Sequence, residues 1–179
     1  MPVFITMHRI FRSKICKMHW TEHTKKKRMK RFPVGKTFED EFTELQIGLM
    51  ELCLEFAEGR ADRIFVFAKI CKDKPLFYPI FERDGSFLLP LEMANYDLEF
   101  IKEFVGIALS DLKKIANLDP RYNEEIPIEM KMYYNTKTRR YDAGFRYQKN
   151  LPNYDAEKAF QDWYEKLKVR CENGRYDLL

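Results

Sequence analysis

The sequence predicts an α+β fold: an antiparallel sheet with helices packed on one face. Three observations carry that prediction. Long stretches repeat apolar residues at helical spacing. Between them lie short runs rich in β-branched and aromatic residues. Those runs come consecutively, three and then two, which favours antiparallel pairing over helix-linked parallel strands. The expected order is α-β-β-β-α-β-β-α, in one domain spanning 37–179, without repeats or an internal linker.

Thr37-Phe38-Glu39-Asp40 has the form of a capping box, with acids where a helix dipole favours them. Phe38, Phe42, Leu45, Leu49, Leu52 and Phe56 then step by 4, 3, 4, 3 and 4, one stripe of an amphipathic helix that Gly59 can end. Ile47 and Met50 widen the stripe, so the helix should pack on more than one neighbour. Glu41, Glu44, Glu51, Glu55 and Glu58 fall on its other face. Arg63–Ile70 is apolar on both alternating faces, as an interior strand would be. Leu76–Phe81 returns after the turn Lys72-Asp73-Lys74-Pro75, and Pro79 within it suggests an edge or a bulge. Asp84-Gly85 is a hairpin signal before a short strand at Phe87–Leu89.

Leu98, Ile101, Val105, Ala108, Leu112 and Ile115 make a second helix, started near Asn95 or Asp97 and over by Asn117-Leu118-Asp119-Pro120. Ile128, Met130, Met132 and Tyr134 alternate with Glu129, Lys131 and Tyr133. After the turn at Asn135–Arg139, Tyr141, Ala143, Phe145 and Tyr147 alternate with Asp142, Gly144 and Arg146. The pair reads as a half-buried hairpin with Glu129, Lys131 and Tyr133 on its polar face. Asn153-Tyr154-Asp155 opens a last helix with Phe160, Trp163, Tyr164 and Leu167 as its apolar residues.

Charge is unevenly placed. Of 32 Lys and Arg and 28 Asp and Glu, residues 1–37 hold eleven of the bases and one of the acids, so the net +4 is a +10 segment joined to a −6 body. All three histidines (His8, His19, His23) lie in the basic part. Cys16, His19 and His23, with His8, are ligand types at spacings zinc could use, but they lack the apolar pattern a finger needs. The run Lys25–Arg31 reads as a nucleic-acid arm, a localisation signal or a solvated tail. In another reading residues 1–36 include a mis-assigned start and the native one is Met29. Apolar runs are short and broken by charge, so no transmembrane segment or membrane partner is expected. Four cysteines without framework spacing suit reduced thiols and a cytoplasmic location.

Beyond residue 37 there is no histidine, and the only serines are Ser86 and Ser110. A Ser-His or Cys-His mechanism has no imidazole there. The glycines never cluster, so no phosphate-cradling loop is visible, and no cofactor, metal or small-molecule substrate is expected. One enzymatic alternative survives. Glu129-Met130-Lys131 on a strand, with Asp119 upstream, resembles the carboxylate and Glu-x-Lys set of Mg²⁺-dependent nucleases. Against it, Glu and Lys two apart are the ordinary polar face of a half-buried strand. The other signal is exposed acid: the helix-one glutamates, Glu99, Glu103 and Asp111 on the second helix, and Glu157, Asp162 and Glu165 on the last. Such faces keep a protein soluble, or they steer a basic partner.

With these elements in place, the stretch from about Phe38 to Lys168 resembles the YezG-like immunity-protein family of bacteria. The pattern comprises the leading helix, Phe77-Tyr78-Pro79-Ile80-Phe81 with Asp84-Gly85, and the helix 98–116. Pro127-Ile128-Glu129-Met130-Lys131-Met132-Tyr133-Tyr134, Gly144-Phe145-Arg146-Tyr147 and a Trp163-bearing helix complete it. The family's glycine-rich, acidic first hairpin and first-strand Trp have no counterpart. The resemblance implies a non-catalytic antitoxin that binds a bacterial toxin, often a nuclease, and it assigns a role to no single residue. The expected partner is therefore a basic toxin, met by Glu44, Glu51, Glu55 and Glu58. Nucleic acid would be met only through residues 1–36.

Overall fold

The computed structural model describes residues 37–95, 97–119, 126–147 and 154–175. The readings placed on 1–36 (zinc-type ligands, a nucleic-acid arm, a tail, a start at Met29) lie outside the described residues.

Helix α1 (Phe38–Ala57) begins at the expected capping box. The Asp40 N–H donates to Thr37 Oγ1 at 3.2 Å, and the Thr37 N–H donates back to Asp40 Oδ2 at 3.1 Å. Strands β1 (Arg63–Lys69), β2 (Leu76–Arg83), β3 (Ser86–Leu88), β4 (Glu129–Asn135) and β5 (Tyr141–Arg146) form one sheet in the order β3-β2-β1-β4-β5. Every pairing is antiparallel. A one-turn helix α2 (Pro90–Met93) precedes α3 (Leu98–Ala116), and α4 (Ala156–Glu172) ends the described chain. The α+β class and the element order are thus as the sequence predicts, with α2 added.

Local chemistry explains the turns. Asp84 (φ 52°) and Gly85 (φ 80°) are both left-handed, the conformation a tight hairpin requires, and the Gly85 N–H donates to Glu82 at 2.7 Å. At the other hairpin Asn135 Oδ1 accepts from the N–H groups of Lys137 (3.0 Å) and Thr138 (2.8 Å), closing an Asx turn. Pro79 pairs with Val66, while β3 reaches only Phe81–Arg83 of β2. Its missing donor therefore faces no strand on that side among the described residues.

β1 is the centre of the sheet, and Ile64, Phe65, Val66, Phe67 and Ala68 are all fully buried. Its two alternating faces meet different helices, which corrects the expectation that helices pack on one face. On one side, Phe56 of α1 meets Phe81 (5.5 Å between centroids) and Phe104 of α3 (4.0 Å), and Phe104 meets Phe77. On the other, Phe67 meets Phe160 (5.7 Å) and Trp163 (5.8 Å) of α4, in a cluster with Phe65, Ile80, Tyr133 and Leu167. A strand apolar on both faces leaves each needing cover, and α4 covers the second. Glu129 and Tyr133, expected on a polar face, are consequently buried, at 3% and 2% exposure.

Among the described cysteines, Cys53 is buried and Cys71 and Cys171 are half-buried. No helix among the described residues is long and apolar enough to cross a membrane.

Candidate functional site

Two places hold the side chains that the sequence singles out. The first is the outer face of α1. Its buried side carries Leu45, Leu49, Cys53 and Phe56. Glu44, Glu55 and Glu58 are exposed and Glu51 is half-buried. At the helical repeat these four lie within an arc of about 60°, turned away from the core. The structure therefore aligns all four residues expected to meet a partner on one side of one helix.

Glu58 occupies an unusual position in that row. It is the C-cap of α1, in the left-handed region at φ 49° and ψ 37°, and its N–H donates to the carbonyls of Leu54 and Glu55. Gly59, which the sequence nominates as the helix end, is left-handed as well (φ 75°) but follows one residue later. A side-chain-bearing residue is strained in that conformation, and an acid is disfavoured beside a helix's terminal carbonyls. Arg60 offsets part of this: its guanidinium lies 3.7 Å from Glu58 and donates to the Met93 carbonyl at 2.7 Å, tying the end of α1 to α2.

The second place is Glu129. The sequence groups it with Lys131 and Asp119, and the structure brings the first two together: Lys131 Nζ lies 2.9 Å from Glu129 Oε1. Arg146 of β5 approaches the same oxygen at 3.7 Å, and the Tyr154 hydroxyl donates to Oε2 at 2.5 Å. Arg146 also lies over the Tyr154 ring at 6.0 Å, and Lys131 over Phe67 at 5.8 Å. Asp119 is half-buried just past the end of α3. Among the described residues no group of three or more His, Cys, Asp or Glu side chains is placed to hold a metal ion. Both oxygens of Glu129 are engaged by donors of the chain itself, which suits a buried structural contact better than a metal ligand.

Sequence reasoning misses Tyr154 and Arg146 as partners of Glu129. Tyr154 reads only as a helix-opening residue, and Arg146 only as the polar alternation of β5. A comparable pair, Arg63 and Glu82 (2.6 Å), joins β1 to β2 and is equally silent in the sequence. So is the bond from the Tyr141 hydroxyl to Gln46 Oε1 (3.2 Å), which ties β5 to α1.

These hydroxyls have a consequence at high pH. Burial, and then the neighbouring Asp142, pushes the Tyr141 phenol well above its usual range. Burial, and then the bond to Glu129, does the same to Tyr154. The folded protein holds both protons more tightly than the unfolded chain, so their stabilisation is intact below about pH 10 and is lost as pH rises beyond it. Unfolding free energy should therefore fall steeply above that pH. Tyr141→Phe should be less stable at neutral pH, because Gln46 loses its donor, yet show a shallower alkaline decline. Denaturant titrations at a series of alkaline pH values read both effects, and parallel declines would contradict the assignment.

The chain matches no family model and no curated protein.

Proposed function

We propose that this chain is a non-catalytic immunity protein that neutralises a basic bacterial toxin domain of the nuclease class by docking it on the outer face of α1. The observation that carries the reading is Glu58. An exposed acid retained in a left-handed cap, beside terminal carbonyls that repel it, opposes local stability. Such costs are common at functional surfaces. A cationic partner would be complementary in charge to Glu44, Glu51, Glu55 and Glu58, which include pairs four and seven residues apart. Packing of α1 against the sheet and α3 holds that row on a rigid element, so binding would require little ordering of the helix.

Co-expression with a basic carboxy-terminal toxin domain, taken from a neighbouring gene where the genome carries one, tests the reading directly. The toxin alone should arrest growth and the pair should not, and arrest in both cases would remove the proposal. Glu58→Gly separates function from stability: it should raise stability by about 1 kcal/mol, because glycine accepts the left-handed cap and the acid is gone. The same change should weaken toxin binding. Reversing Glu51 and Glu55 to Lys should slow association and reduce its salt dependence. Unchanged binding kinetics in both variants would move the contact off α1.

A further inference from the structure

β5 ends the sheet on one side, and among the described residues no strand lies beyond it. Its bonds to β4 use the carbonyls of Arg140 (from the Asn135 N–H, 2.9 Å) and Arg146 (from the Ile128 N–H, 2.8 Å). Alternation therefore turns the backbone N–H and C=O groups of Tyr141, Ala143 and Phe145 outward. Exposed edges are usually blunted by lysines, proline or a bulge. The run Tyr141-Asp142-Ala143-Gly144-Phe145-Arg146 contains neither lysine nor proline, and its two charges are opposite in sign.

We propose that β5 is a self-association edge: two copies of this chain pair β5 to β5, antiparallel, about a two-fold axis at Gly144. In that register Asp142 stands across from the partner's Arg146, and Arg146 across from the partner's Asp142. Sliding the strands by two residues sets Arg146 against the partner's Arg140 in one direction and against the partner's Gly144 in the other. Charge thus selects a single register. The outward backbone groups of Ala143 and Phe145 become the hydrogen-bonded pairs, and Gly144 meets its own counterpart at the closer, non-bonded spacing.

Gly144 supports this placement. It is absent from the positive-φ positions, and a Cβ built on it would meet nothing within 4 Å. Neither backbone conformation nor packing within the chain requires glycine there, whereas at the two-fold axis its missing side chain leaves room between the two Asp142–Arg146 pairs that flank it. Phe145 supports it from the side. Its ring is 38% exposed and continues an aromatic row, 5.5 Å from Phe42, which lies 5.6 Å from Phe38. Opposite the partner's small Ala143, that ring would be covered.

Sedimentation or light scattering of the full 179-residue chain tests the proposal. A concentration-dependent monomer–dimer equilibrium is expected. Asp142→Arg and Arg146→Asp should each weaken it by about tenfold or more, since each sets like charges opposite at two symmetry-related places. Mixing the two variants should restore a heterodimer, because both facing pairs are then again opposite in charge. Circular dichroism checks the fold of each. If Arg146→Asp unfolds by setting an acid beside Glu129, Ala143→Pro takes its place, removing an outward donor without touching the β4 ladder, and should give monomer. A wild-type monomer at every soluble concentration overturns the proposal. So does a dimer indifferent to Asp142→Arg and Ala143→Pro, or a mixture no tighter than its parts.

Discussion

Phe56→Ala should destabilise the protein by about 3–5 kcal/mol, the cost of removing a large ring from a packed core that cannot fully collapse around the gap. Phe56 is fully buried and is the point where three elements meet. Its ring stacks on Phe104 at 4.0 Å and Phe100 at 4.9 Å, both of α3, and tilts against Phe81 of β2 at 5.5 Å. Offset and tilted aromatic contacts add to the area buried, so the loss should lie toward the upper end of that range. The melting temperature should drop by about 10 °C or more for a chain of this size. Phe56→Leu, which keeps most of the apolar volume, should cost clearly less. The substitution also bears on the acidic face, because Glu55 and Glu58 flank the lost ring in sequence. A drop of less than about 2 °C would mean that α1 is held chiefly by its N-terminal half.

Most of the fold was legible because its signals are local. A capping box, an Asp-Gly hairpin and an Asx turn each specify their own hydrogen bonds within a few residues, and each forms as the residues dictate. The side of the sheet taken by each helix was not legible. The stripe of Phe160, Trp163 and Leu167 says that α4 buries a face, but nothing in its period says which side of β1 receives it. That omission explains the misplacement of Glu129 and Tyr133: alternation sorts residues onto two faces without saying that both are covered. The one-turn helix Pro90–Met93 is too short to show a period at all. At the candidate site, the outward row of glutamates follows directly from spacing on α1. The strain at Glu58 does not, because the neighbouring glycine is the expected left-handed residue and the chain turns one position earlier.

Glu129→Ala should cost about 3–5 kcal/mol, because it leaves the Lys131 ammonium without its carboxylate in a site that is mostly shielded from water. Lys131 is only 14% exposed and Glu129 3%, so water cannot readily take over the lost contact. The Tyr154 hydroxyl would lose its acceptor at the same time. Glu129→Gln should fall between wild type and alanine: it can still accept from Tyr154 but carries no charge for Lys131. Replacing both partners, as Glu129→Met with Lys131→Met, should cost less than Glu129→Ala alone, since no unpaired charge remains inside. Denaturant midpoints at constant m-value measure all three. The pattern also decides between a structural carboxylate and the Mg²⁺-dependent nuclease that Asp119, Glu129 and Lys131 suggest in the sequence. A carboxylate kept for chemistry is repelled by its neighbours until metal arrives, so its removal leaves stability unchanged or raised and abolishes cleavage. A carboxylate already bonded to a lysine and a tyrosine behaves oppositely. Loss of stability in Glu129→Ala, recovered in the double variant, supports the structural role. A fully stable Glu129→Ala variant that has lost Mg²⁺-dependent cleavage of DNA or RNA would reverse that conclusion.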